Sequence, residues 1–108
     1  MRKRVYIAGP ITGVQDYERV FKAAVLRLKM AGHHPVSPTA ICAWQAECQR
    51  RPGDTDWMMW MRTTAQALIQ CDGVALLPGW RESRGAMVEA DWAEAVGLPV
   101  RELEEWLA

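Results

Sequence analysis

The 108-residue chain has no surplus of charge of either sign, with 13 basic side chains against 13 acidic ones. A protein that grips nucleic acid by neutralising phosphates normally shows a basic excess, so a nucleic acid polymer is not an expected partner. Long hydrophobic runs are missing as well. No stretch approaches the ~20 apolar residues that cross a bilayer, so no membrane association is expected. Cysteine is confined to Cys42, Cys48 and Cys71, an odd number without a C-x-x-C pair. These read as reduced thiols of a cytoplasmic protein, not as a disulfide framework. His33 and His34 have no second ligand pair at metal spacing, so neither a metal nor another cofactor is expected.

Half of the residues are apolar. That fraction and this length predict one domain over residues 1–108, burying roughly two-thirds of its unfolded surface. Met1-Arg2-Lys3-Arg4 carries the charge of a signal-peptide n-region. The apolar segment behind it, Val5 to Ala8, is too short and is stopped by Gly9-Pro10, so it reads as an ordered first strand.

Arg4 to Ala8 is short and partly β-branched or aromatic, the signature of a buried strand. Gly9-Pro10-Ile11-Thr12-Gly13 follows as a turn. Asp16 is placed to cap a helix running to about Ala31, in which Tyr17, Val20, Phe21, Ala24 and Leu28 form one apolar stripe. His34 to Ser37 reads as a short strand and Thr39 to about Arg50 as a helix. Asp56 is placed to cap a further helix to about Gln70. Asp72 to Leu77 is a second apolar strand, and Arg84 to about Val96 a helix. Leu98 to Arg101 fits an edge strand, where proline is tolerated, and Glu102 to Leu107 a helical turn or two. Strands alternating with helices predict the α/β class: a Rossmann-like open parallel sheet of about four strands, flanked by helices on both faces.

Glu89 breaks the polarity of its helix. On a wheel of about 100° per residue, Asp91 and Glu94 mark the solvent side, while Glu89 lies about 160° and 140° from them. It falls among Gly85, Ala86, Trp92, Ala93 and Val96, facing the interior or a cleft wall. An unpaired carboxylate there costs several kcal/mol or shifts its pKa. A buried ion pair or a hydrogen bond to backbone is one explanation. Its place near the rim of the sheet offers another, because ligands of open parallel sheets bind there. Ser83 is a suitable N-cap, the amides near Arg84, Gly85 and Ala86 are free for an anion, and Gly85 leaves space beside Glu89. Tyr6, on the first strand, is placed either to reach Glu89 or to pack in the core.

Taken together, Val5-Tyr6-Ile7-Ala8-Gly9-Pro10-Ile11-Thr12-Gly13, Cys71-Asp72-Gly73, Leu77-Pro78-Gly79-Trp80 and Ser83-x-Gly85-x-x-x-Glu89 resemble the nucleoside 2-deoxyribosyltransferase-like superfamily. The match is nearest to a small bacterial and phage branch related to the 2′-deoxynucleoside 5′-phosphate N-hydrolases, and it runs from about residue 4 to residue 100. The resemblance implies an N-glycoside hydrolase or deoxyribosyltransferase acting on a nucleotide or nucleoside, in a homodimer or higher homo-oligomer. It implies that Glu89 is the nucleophile toward the anomeric carbon and Tyr6 its orienting partner. Ser83, the amides near Arg84 and Gly85, and the turn Gly9, Pro10, Ile11, Thr12, Gly13 would hold the 5′ end. Gly79 and Trp80 would border the site, with Trp80 over sugar or base; packing is the alternative for Trp80. The superfamily's enzymes carry an aspartate, eight residues before the acid that opens the next strand, that protonates the leaving base. Counting back from Asp72 gives Thr64. Thr64 cannot act as that acid, and Asp56 or Asp54 is the conjectured substitute if either lies nearer the rim. The alternative function is a nucleotide-binding module of the same fold, and a third is an interaction protein presenting Trp44, Trp57 and Trp60.

Overall fold

A computed structural model describes residues 2–108; Met1, the first residue of the basic N-terminal run, lies outside the described residues. In strand β1 (Arg4–Ala8), side chains alternate between the two faces of the sheet. Val5 and Ile7 enter one core, and Tyr6 and Ala8 the other. β1 pairs in parallel with β2 (His34–Val36) on one side and with β3 (Gly73–Leu76) on the other. β4 (Val100–Glu102) pairs in parallel with β3, which gives the order β2-β1-β3-β4.

Helices cover both faces, as expected for the α/β class. α1 (Tyr17–Met30) and α5 (Leu103–Leu107) pack Phe21, Ala24, Leu28, Leu103 and Trp106 on the Val5 and Ile7 side. α3 (Asp56–Leu68) and α4 (Arg84–Ala95) pack Leu68, Ala86, Ala90 and Ala93 on the Tyr6 side. α2 (Ala43–Glu47) rests on α3. The Trp106 indole Nε1–H donates to the Val74 carbonyl at 2.8 Å, which satisfies a polar group that burial would otherwise penalise. No helix among the described residues is long and apolar enough to cross a membrane.

Several local expectations need correction. Thr39 to Arg50 is not one helix. A 3-10 turn at Pro38–Ala40 and the short α2 are separated by Ile41 and Cys42 in extended conformation. The Cys42 amide donates to Gln45 Oε1 at 3.0 Å, so α2 starts afresh there. Thr55, not Asp56, caps α3, its hydroxyl accepting from the Met58 amide at 3.2 Å. Asp16 stands at the start of α1 but turns its carboxylate to Arg19 instead of the helix amides. β4 lies later than expected because Pro99, which has no N–H, stands at the strand's entry and offers only its carbonyl, to the Val74 amide.

The chain leaves β1 for β2 on one side and later returns to β3 on the other. The carboxyl ends of β1 and β3 therefore flank a topological switch point, where open α/β sheets form ligand crevices. Gly9 makes this junction tight. A Cβ on it would lie 2.8 Å from Leu77 Cβ. Gly9→Ala is therefore expected to cost about 1–3 kcal/mol of stability by overpacking. Urea unfolding checks this, and an unchanged midpoint would show that the junction has slack.

Candidate active site

α4 begins beside this junction. Ser83 caps it, its hydroxyl accepting from the Ala86 amide at 3.2 Å. Ala86, Glu89, Ala90 and Ala93 form the buried face, while Asp91 and Glu94 are exposed. Glu89 is 6% exposed. Trp92 and Val96, expected next to it, are 37% and 65% exposed. The alanines explain the correction: they bring α4 close to the sheet, leaving no layer in which an indole would fit.

The fully buried Tyr6 donates its hydroxyl to Glu89 Oε2 at 2.6 Å. No ion pair among the described residues includes Glu89. Glu89 Oε1 has no hydrogen-bond partner among them and opens on a cleft of about 450 Å³. That volume suits a small organic ligand. Burial pushes the Glu89 carboxyl up to about 7, against the opposing pull of the Tyr6 hydroxyl and then of Thr64. The Tyr6 hydroxyl is pushed well above its ordinary value, first by burial and then by the Glu89 charge. Thr64 Oγ1 also makes a long bond of 3.4 Å to the Met61 carbonyl. This weak contact leaves the hydroxyl free to turn toward the pair.

The cleft gathers Gly9, Ile11 and Thr12 from the first turn and Ser83 and Gly85 from the start of α4. Thr64 lines it together with Trp57, Trp60 and Met61, all from α3. A Cβ on Gly85 would lie at ordinary contact distance from Trp57 and Met61, so this glycine widens the passage to Glu89. Other expected residues are not brought into the cleft. Gly13 shapes the turn with φ +80°. Pro10 lies against Gly79, and the Arg84 guanidinium stacks over Trp57 at 4.4 Å. Gly79 and Trp80 border a second hollow of about 600 Å³ beside α1, β4 and α5. Gly79, at φ +83°, opens a 3-10 turn at Trp80–Glu82, and Trp80 packs against the core on the Tyr6 side instead of lining the cleft.

Of the two replacement acids, Asp54 is taken up by Arg62 at 2.7 Å, which holds its carboxyl below the usual range. Asp56 does line the cleft, with Arg50 on its Oδ1 at 2.5 Å. Trp44 stands apart on α2, 74% exposed. Glu18, a cleft-lining residue, was not singled out from sequence. An acid in the first turn of a helix is sufficiently explained by the helix dipole. Only its position just after the β1 turn pointed to the rim.

A family described as a domain of unknown function (DUF4406) matches residues 3–102. The chain belongs to that family. No curated protein matches it. Among solved structures, the DUF4406 chain resembles a 2-deoxyribosyltransferase from the psychrotolerant bacterium Bacillus psychrosaccharolyticus. The TM-score is 0.60 at 20% identity, over 90% of this chain and 69% of that one. This likeness shows the fold, a Rossmann-like parallel sheet with helices on both faces.

Because the folded Glu89 carboxyl sits near 7 instead of the ordinary 4.5, the folded state binds its proton more tightly than the unfolded chain. Its contribution is fully present below pH 4.5 and is lost as pH rises through about 7. The loss amounts to about 3 kcal/mol. Denaturant titrations at pH 4 to 8 are expected to show this decline in the wild type and not in Glu89→Gln. Parallel curves would contradict it.

Proposed function

We propose that the protein cleaves or transfers the N-glycosidic bond of a nucleoside or nucleotide, with Glu89 as nucleophile. The observation that carries this reading is a buried carboxylate without a cationic partner, held through one oxygen by Tyr6 and open through the other to a ligand-sized cleft. Glu89 Oε1 attacks the anomeric carbon, the C–N bond breaks, and its electron pair leaves with the base. The resulting glycosyl ester is then opened by water or by an incoming base. Tyr6 positions the carboxylate and keeps it more acidic than burial alone would allow. Ser83, Thr12 and the first amides of α4 would receive the 5′ end. Met58, Met87 and Trp92, exposed on α3 and α4, support a homo-oligomer.

Thr64 favours a second reading, a nucleotide-binding module, because a threonine hydroxyl does not protonate a leaving base at neutral pH. Product analysis separates the two. Base release from deoxynucleosides and deoxynucleotides, lowered at least about a thousandfold in Glu89→Gln, supports the enzyme. Binding by calorimetry with release equal to the blank supports the module. For the enzyme, activity is expected to rise with pH through about 7. Tyr6→Phe removes a group that lowers the Glu89 pKa, so the midpoint of that rise should move upward. A midpoint unchanged in Tyr6→Phe would contradict the positioning role.

A further inference from the structure

The cleft in front of Glu89 has an unusual charge balance. Among the described residues its walls carry three carboxylates, Glu18, Asp56 and Glu89, and no lysine, arginine or histidine. Its aromatic surface is supplied by Tyr17, Trp60 and Trp57, one face of which the Arg84 guanidinium covers at 4.4 Å. The wall offers no free carboxylic acid of the usual kind to a departing ring: Asp56 is engaged by Arg50, the Glu18 carboxylate accepts from the Tyr17 hydroxyl at 3.4 Å, and Thr64 offers only a hydroxyl. A neutral base departs as an anion unless it is protonated, so this cleft lacks what such a substrate needs. A ring that is cationic before cleavage needs no acid. It is also attracted by carboxylates and by the faces of tryptophan and tyrosine.

We propose that the substrate's leaving group is a positively charged heteroaromatic ring, an N-alkylated purine or a pyridinium joined to the sugar through its ring nitrogen. The proposal rests on Glu89 being the nucleophile, as argued above. In the step, Glu89 Oε1 forms a bond to the anomeric carbon and the C–N bond breaks. Its electron pair neutralises the ring, which leaves uncharged without any proton transfer. Water then opens the ester, giving the free sugar and returning one proton to solvent. The incoming cation also favours the ionised form of Glu89, which is the nucleophilic one. Thr64 ceases to be a defect in this scheme, and Glu18, which no cation pairs among the described residues, selects the charge of the ring.

Matched pairs test it: 2′-deoxyguanosine against its 7-methyl derivative, and the 2′-deoxyribosyl derivative of nicotinamide against its reduced, uncharged form. Binding is measured by calorimetry on Glu89→Gln, so that the greater lability of cationic substrates does not enter. Base release is measured on the wild type, net of Glu89→Gln. The expected result is at least tenfold tighter binding of a cationic member than of its neutral partner, with release of the ring by the wild type. The series that responds identifies the ring. Glu18→Gln should reduce the preference by at least half. Neutral members bound as tightly and cleaved as fast as the cationic ones would overturn the charge proposal and leave Glu89 as nucleophile. No release from any of the four would overturn both.

Discussion

The hydrogen bond from Tyr6 to Glu89 governs the rest of the site. It joins a carboxylate that α4 turns inward to a hydroxyl that β1 turns toward the same core. Neither group gains from burial alone. Desolvation raises both pKa values; the Tyr6 hydroxyl then eases the ionisation of Glu89, while the Glu89 charge hinders that of Tyr6. A buried acid without a cation is a cost that a purely structural protein has no reason to keep. The cost is retained where one oxygen of the carboxylate meets a cleft, which is the arrangement a nucleophile requires.

The fold produces this geometry with few parts. Alternation along β1 sends Tyr6 to the α3–α4 side, while Val5 and Ile7 secure the opposite layer. The switch point between β1 and β3 opens the crevice, and the bare Cα of Gly9 lets the two strand ends meet. Small residues on α4 then bring Glu89 down onto Tyr6. α3 supplies the opposite wall with Trp57, Trp60, Met61 and Thr64. The site thus stands on regular elements, with loops contributing mainly its rim.

Much of this was legible in the sequence because it followed a period. The β1 run, the α1 stripe and the inward angle of Glu89 all come from geometry within one element. Ser83 was readable because a cap acts over three residues. The misreadings fall where local pattern stops deciding. The break after Ala40 depends on two residues that stay extended, and the turn at Trp80 on a left-handed glycine. Trp92 and Val96 share the wheel sector of Glu89, but an angle does not show that only small side chains have room against the sheet. Trp57, Trp60, Met61 and Thr64 share one helical face by their spacing, but that this face meets the cleft depends on how α3 packs, which spacing does not encode. Glu18 was hidden by an adequate local explanation.

The central claim is that Glu89 is a desolvated carboxyl whose nearest stabilising partner is a phenol instead of a cation. A carbon-13 NMR titration of the side-chain carboxyls, with Glu89 assigned by its loss in Glu89→Gln, measures this directly. The account predicts a midpoint near 7 for that signal. A midpoint in the ordinary range near 4.5 would mean that water or an unrecognised cation reaches the carboxylate, and would contradict it.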